Sequence, residues 1–228
     1  MMKKRLHGLL TGMLLVMTMA ASAAEARIDP QQVVRETAEK VLAEVTARKT
    51  ELEADPSQLY SLVKDTVVPH FDFTAMTRSV MGRFWRRATE QQKRRLVAEF
   101  QEMLVRTYAT ALLGYSGQTI EYPTGRYPED ASKVVVSTRI RAAGGPPIPI
   151  DYRLKWDEKR GEWLVYDVVI DSVSLVTNYR SSFARLIREG ARKAKNPAQR
   201  MQVGIDHLIA TLSAKNDASG QKKEQSAG

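Results

Sequence analysis

Two pairs of titratable residues have the types and spacing that acid–base chemistry uses. His70 and Asp72 lie two residues apart, so an imidazole and a carboxylate could form half of a general acid–base pair. Asp167 and Asp171 flank the end of a hydrophobic strand and could form a carboxylate pair. Structural roles explain the same residues, because Asp72 stands at a helix start and the other two carboxylates stand at a strand edge and a turn.

Other catalytic motifs are missing from the sequence. The chain has no cysteine, so it has neither a thiolate nucleophile nor a disulfide, and it contains no G-x-S-x-G or H-E-x-x-H pattern. Gly144 and Gly145 precede two prolines, which removes the helix N–H groups that a phosphate loop needs. We therefore expect a binding protein that is not an enzyme and has no cofactor beyond a bound cargo.

One long segment organises the predicted fold. Residues 163–187 begin with the β-branched and aromatic residues of a strand and pass into a helical pattern without an intervening proline or glycine. A very short corner must therefore join a sheet to a helix. This segment is expected to line the space between the sheet face and the helices.

The rest of the chain supplies further helices and strands. Caps at Asp29, Asp55, Asp72 and Thr89 predict four helices before Gly114, and helical periodicity resumes after the corner. Alternating residues predict strands at 118–122, 133–141 and 148–156, followed by the strand that starts at Trp163. The predicted class is α+β, an antiparallel sheet of about four strands covered by helices from both ends of the chain. Its single domain, residues 24–212, is divided into helical residues 29–114, sheet residues 117–171 and helical residues 174–212.

Both termini are expected to lie outside this domain. Three basic residues, an apolar run from Leu9 to Ala21 and the triplet Ala21-Ser22-Ala23 are typical of a secretory signal peptide, residues 1–23. Without a membrane anchor, the exported chain is expected in the periplasm. Residues 213–228 are polar and small, which predicts a disordered tail.

The chain is basic, with a formal net charge of +9. Export argues against nucleic acid as a partner, so anionic lipid head groups and acidic proteins remain, beside an ordinary solvated surface. The sequence leaves these three explanations of the positive charge open.

Two segments resemble the MlaC family, also called the toluene-tolerance family of periplasmic phospholipid carriers. The first comprises residues 71–78, F-D-F-T-A-M-T-R, and 80–82, V-M-G, together with 85–92, W-R-R-A-T-E-Q-Q, and the helix over 100–108. The second is W-L-V-Y-D-V-V-I-D-S-V-S-L-V-T-N-Y-R-S-S-F, residues 163–183. The resemblance implies an NTF2-like cone of sheet and helices with acyl chains inside, and a monomeric shuttle that carries phospholipid between two membrane complexes. Those complexes are an outer-membrane lipoprotein complex and the MCE-domain component of an inner-membrane ABC transporter, and the transport maintains outer-membrane lipid asymmetry.

Apolar faces beside the corner supply the predicted lipid-binding residues. They are Phe84, Leu104, Tyr108, Leu112, Val136, Ile150, Tyr152, Leu154, Val165, Val169, Val173, Leu175, Tyr179 and Phe183. Four cations are candidate head-group contacts, namely Arg78, Arg83, Arg86 and Arg180. Two alternatives stay open. One is a periplasmic chaperone or interaction protein that presents an apolar groove to lipoproteins or peptides, and the other is an NTF2-like small-molecule hydrolase that uses His70 and Asp72.

Overall fold

A computed structural model describes residues 27–142 and 144–224. The predicted signal peptide lies outside these residues. The helices are α1 Pro30–Ala47, α2 Lys49–Ala54, α3 Pro56–Thr66, α4 Phe73–Met81, α5 Glu90–Leu113, α6 Leu175–Arg192 and α7 Arg200–Glu224. The strands are β1 Thr119–Glu121, β2 Lys133–Arg141, β3 Ile148–Asp157, β4 Glu162–Ile170 and β5 Val173–Ser174. Short 3-10 helices cover Val68–His70, Gly82–Arg87 and Pro197–Gln199.

The sheet is an antiparallel meander with the strand order β1-β2-β3-β4-β5. This confirms the α+β class and the placement of the sheet between two helical segments. The two-residue strand β5 was not predicted; it returns along the end of β4 after a tight turn in which Asp171 and Ser172 both have positive φ. The predicted short corner is therefore a turn with left-handed backbone conformation, followed by β5 and then directly by α6.

Helix starts agree with the capping patterns of the sequence. The carboxylates of Asp29 and Asp55 accept hydrogen bonds from backbone N–H groups of α1 and α3, and Asp72 accepts from the first turn of α4. Thr89 and Gln92 form a complete capping box at the start of α5. The predicted first helix is divided in two, because its backbone leaves helical geometry at Arg48 before α2 begins.

The inner face of the sheet is closed at one end. Trp156 and Trp163 pack edge to face across β3 and β4, and the Trp163 indole donates a hydrogen bond to the Ile28 carbonyl at 2.9 Å. Val136 and Leu154 are fully buried beside them. This end is a dry core, whereas the opposite end of the same face remains unfilled.

A β-bulge changes which residues of β4 face inward. Val165 pairs with Leu154 but Asp167 pairs with Arg153, so Tyr166 is one extra residue in β4. Alternation therefore shifts by one position after Tyr166, and Val168 and Ile170 face inward where strict alternation predicts Val169.

The last two helices cross at glycines. A Cβ on Gly204 would lie 2.4 Å from the Ile187 carbonyl oxygen, and one on Gly190 would lie 2.4 Å from the His207 Cβ. A glycine after a helical pattern often ends a helix, yet α6 continues past Gly190 to Arg192 because this glycine serves close helix packing.

The predicted disordered tail from Ser213 is wrong for Ser213–Glu224, which continue α7. Asn216 is buried, and its amide donates to the Glu99 carbonyl at 3.1 Å and to the Glu99 carboxylate at 2.9 Å. A polar residue with satisfied hydrogen bonds can be buried, and composition alone does not reveal this.

We expect Gly204→Ala to destabilise the protein. The added methyl group meets backbone of α6, so the two helices must separate. The expected net loss of stability is about 2 kcal/mol, after subtracting the roughly 1 kcal/mol by which alanine favours a helix over glycine. The expected decrease in Tm is roughly 4–8 °C, measured by thermal unfolding. Gly145→Ala is the control, because its Cβ would meet no heavy atom within 4 Å. Equal Tm values for the two variants would contradict the packing role.

Candidate functional site

An apolar cavity of about 530 Å³ lies at the open end of the sheet. Its floor is the inner face, where Ile140, Ile150 and Ile170 follow the closed core along their strands. Most of its wall residues come from three helices. They are Val33, Val34, Thr37, Ala38, Val41 and Leu42 on α1, Val63 on α3, and Leu104, Val105, Tyr108, Ala109, Ala111 and Leu112 on α5. The volume is typical of small-ligand sites.

The cavity has an exposed rim and a closed inner end. Tyr108 is 36% exposed and Ile148 is 47% exposed, and both line the cavity near the end of α5 and the β2–β3 turn. Phe73 and Met76, both buried, line the cavity where α4 begins. The shape admits an elongated apolar group from one side.

No charged side chain of the described residues lines the cavity. Its polar groups are mainly hydroxyls, an amide and the imidazole of His70. Burial raises the pKa of Tyr152 to about 12, although a hydrogen bond with Thr138 opposes the rise. The hydroxyl therefore stays protonated and neutral at physiological pH. Such a site favours alkyl chains over ions.

Seven of the predicted lipid-binding residues line this cavity, namely Leu104, Tyr108, Leu112, Ile150, Tyr152, Val165 and Leu175. They come from α5, three positions of the inner sheet face and the first residue of α6. The structure thus brings together the residues whose faces were predicted from alternation or from four-residue spacing.

The other seven predicted residues do not line the cavity. Val136 and Leu154 belong to the closed end of the sheet, the bulge turns Val169 away, and Val173 is 54% exposed beyond the corner. Phe84, Tyr179 and Phe183 lie in or against a helical core on the far side of α5. In that core the Phe100 ring contacts Tyr179 and Phe183 edge to face at 5.5 and 5.3 Å. Helix α6 therefore packs on helices over most of its length, and only Leu175 reaches the cavity.

Helix α1 supplies a wall that was not predicted. The residues of α1 that line the cavity include Val33, Val34, Ala38 and Val41. Apolar residues three or four positions apart are equally typical of a helix that packs on an ordinary core. The sequence predicted this helix among those that cover the sheet, but no sequence signal separates contact with a core from contact with a cavity.

None of the four candidate head-group arginines lines the cavity. The Arg180 guanidinium donates to the Ser79 carbonyl at 3.1 Å, and the Arg83 guanidinium lies 5.1 Å from the Phe84 ring centroid. Arg78 and Arg86 are also exposed, on α4 and the following 3-10 helix. These four cations belong to the α4–α6 side of the molecule.

The possible acid–base pair is not assembled. Asp72 accepts a hydrogen bond from the Ala75 amide at 2.7 Å and forms an ion pair with Lys155. Burial alone would raise the pKa of the Asp72 carboxyl, but the hydrogen bonds from Lys155 and the Ala75 amide outweigh it and hold this pKa below its ordinary value. Asp72 is thus a cap and an ion-pair partner, while His70 lines the cavity separately.

Asp167 joins the sheet to α6. Its buried carboxylate accepts hydrogen bonds from the Ser174 hydroxyl at 2.7 Å, the Val176 amide at 3.1 Å and the Arg153 guanidinium at 3.1 Å. Ser174 in turn caps α6 by accepting from the Thr177 amide. These contacts fix the first turn of α6, including Leu175, against the cavity floor. In the part of the chain that the structure describes, no cluster of ligating side chains could hold a metal ion.

The fold and the site define an α+β protein that encloses an apolar cavity. The family model described as MlaC protein matches residues 35–214, and the chain belongs to this family. It is 25% identical over 190 residues to the intermembrane phospholipid transport system binding protein MlaC of Haemophilus influenzae, with 83% of each chain covered. It is 26% identical to the toluene tolerance protein ttg2D of Pseudomonas putida, covering 68% of this chain and 71% of that protein.

A solved structure shares this fold. The phospholipid-binding protein from Ralstonia solanacearum, determined in complex with a phospholipid, matches with a TM-score of 0.72 and 30% sequence identity. The match covers 84% of this chain and 99% of the other.

We expect Asp167→Ala to destabilise the protein by about 3 kcal/mol, since the buried Val176 amide and Ser174 hydroxyl lose their acceptor. Urea unfolding measures the loss, and hydrogen exchange should quicken first at the start of α6. Glu121→Ala is the matched control, because its ion pair with Arg141 is exposed and is worth under about 1 kcal/mol. A loss at Asp167 no larger than at Glu121 would show that the carboxylate does not hold the corner.

Proposed function

We propose that this protein is a phospholipid-binding transport protein whose apolar cavity holds acyl chains. The observation that carries the proposal is the cavity itself, which has an exposed rim and no charged side chain among the described residues that line it. Membership of the MlaC family and the fold shared with a phospholipid complex support the same ligand. The residues proposed to contact acyl chains are those of the cavity wall, including Val34, Ala38, Leu104, Ile150 and Val168.

The physical chemistry of the cavity agrees with this ligand. Each methylene removed from water contributes about 0.8 kcal/mol, so a long acyl chain gains on the order of 10 kcal/mol from burial. The head group remains at the rim near Tyr108 and Ile148, where solvent hydrates it. Binding through the chains alone predicts little discrimination among head groups.

The carrier role extends the proposal to location and partners. Among residues 27–142 and 144–224, no helix has the length and apolar character to cross a membrane. We place the protein in the periplasm as a monomeric shuttle without catalytic activity. It would exchange phospholipid with an outer-membrane lipoprotein complex and with the MCE-domain component of an inner-membrane ABC transporter. The H. influenzae relative, a binding protein of an intermembrane phospholipid transport system, supports this assignment.

Native mass spectrometry of the purified protein tests the ligand. We expect a mass increase equal to phospholipid, and lipid-stripped protein should regain it from phosphatidylcholine and phosphatidylglycerol vesicles alike. A protein that purifies without lipid and takes up none would refute the carrier function. Co-purification of a polypeptide in place of lipid would instead support the alternative of a chaperone.

A substitution on α1 tests the site. Ala38→Trp places an indole in the cavity, so most bound phospholipid should be lost while the fold is kept. Ala43→Trp is the control, because Ala43 is exposed on the same helix and does not line the cavity. Lipid loading is quantified by extraction and thin-layer chromatography, and circular dichroism verifies folding.

Two of the four candidate head-group arginines provide a second control for the same experiment. Arg78→Gln with Arg180→Gln should leave loading unchanged, because neither residue lines the cavity. A loss of loading in this variant, or equal loading in the two tryptophan variants, would place the lipid elsewhere on the molecule.

A further inference from the structure

The positive charge of the chain is concentrated in two short segments. Residues 82–95 and 188–200 together contain eleven lysines and arginines and two glutamates, an excess of nine positive charges. The whole chain also has a formal net charge of +9, so its other residues, with 24 basic and 24 acidic side chains, are formally neutral. The basic character noted in the sequence is therefore local.

The fold joins these segments at one end of the molecule. The Gln202 amide donates to the Arg87 carbonyl at 3.3 Å, and the Gln92 amide donates to Gln202 and to Asp206. The close contact of Gly190 with Gly204 brings in the last turns of α6. The end of the second 3-10 helix, the start of α5, the end of α6 and the start of α7 thus share one surface.

Eight exposed cations define this surface, which we call the basic end. They are Arg86, Arg87, Arg94, Arg188, Arg192, Lys193, Lys195 and Arg200. None of the eight forms an ion pair with a residue that the structure describes. Of the neighbouring acids, Glu90 pairs with Lys93 and Glu189 pairs with Arg185, while the exposed Asp206 carboxylate accepts a hydrogen bond from the Gln92 amide. The basic end thus presents positive charge that the described residues do not neutralise.

The basic end is far from the cavity rim. It surrounds the first turns of α5, whereas Tyr108 and Ala111 line the cavity in the last turns of that helix. At about 1.5 Å per residue, the helix separates Gln92 from Ala111 by about 30 Å. The two surfaces can therefore act at the same time on different partners.

We propose that the basic end docks the protein on an anionic phospholipid surface. Anionic membranes bind clusters of lysine and arginine without a shaped pocket. A protein partner usually requires an apolar interface core. The exposed large hydrophobic residues of the described chain, among them Ile148 and Val173, all lie outside the basic end. Docking in this orientation turns the cavity rim away from the membrane and leaves it free for exchange with another protein. The proposal does not depend on what the cavity binds.

Vesicle co-sedimentation tests the docking. We expect the protein to sediment with phosphatidylcholine vesicles that contain about a third phosphatidylglycerol and not with pure phosphatidylcholine, and to dissociate in about 0.5 M NaCl. A quadruple variant of the basic end should bind anionic vesicles more weakly by about tenfold or more. It combines Arg188→Gln, Arg192→Gln, Lys195→Gln and Arg200→Gln. The matched variant is Lys40→Gln, Arg126→Gln, Arg139→Gln and Lys159→Gln, which removes the same charge from exposed cations elsewhere.

Two fluorescent labels test the orientation. The chain has no cysteine, so Ala198→Cys at the basic end and Ile148→Cys at the rim can each carry one environment-sensitive dye. With anionic vesicles, the dye at position 198 should respond and the dye at position 148 should not. A response only at position 148 would show docking through the rim.

Three other results would overturn the proposal. They are an equal loss of binding in the two quadruple variants, equal binding of the natural protein to neutral and anionic vesicles, and no binding to anionic vesicles at low salt. In the last case an acidic protein becomes the partner to seek. Phospholipid uptake from neutral vesicles, measured on both quadruple variants, should be unchanged, so that failure of docking and failure of cargo binding are distinguished.

Discussion

The open apolar cavity is the constraint on which the rest of the structure depends. Apolar faces that line an open cavity of about 530 Å³ have no packing partner across it, so other contacts must hold its walls apart. The walls stay apart because each belongs to a separately packed cluster. The sheet closes on Trp156 and Trp163, α1 to α3 pack with α5, and α4, α6 and α7 pack on the opposite side of α5. Helix α5 is shared and acts as the central support.

Two features of β4 connect this support to the cavity floor. The extra residue Tyr166 changes the alternation, so that Val165 and Val168 both face inward, while Asp167 lies beside Arg153 on the other face. The Asp167 carboxylate accepts hydrogen bonds from Arg153 of the sheet, from the Ser174 hydroxyl after the turn, and from the Val176 amide at the start of α6. Without the bulge, a carboxylate would lie on the apolar floor. The same one-residue shift thus keeps the cavity uncharged and supplies the acceptor that anchors α6.

Local signals predicted the elements well and the cavity in part. Some signals depend only on neighbouring residues, which a sequence displays directly. They are the helix caps at Asp29, Asp55 and Thr89 and the strict alternation along β3. The direction in which α6 packs depends on contacts such as Phe100 with Phe183, which are distant in sequence. Alternation also cannot reveal a bulge before the partner strand is known, so Val169 was predicted in place of Val168. Whether an apolar face meets a core or a cavity is a question of three-dimensional fit that periodicity does not encode.

The basic arginines near the MlaC-like segment illustrate a related point. The local run of basic residues suggested head-group contacts, yet the fold places Arg86 at the opposite end of α5 from the rim. A carrier that does not discriminate among head groups, as proposed above, gains from this separation. A cation at the rim would strengthen the binding of anionic head groups and slow their release, whereas cations about 30 Å away can attract a membrane without changing the affinity for cargo. In the proposed function, the neutral cavity and the charged end are therefore two independent means of interacting with lipid, one through chains and one through head groups.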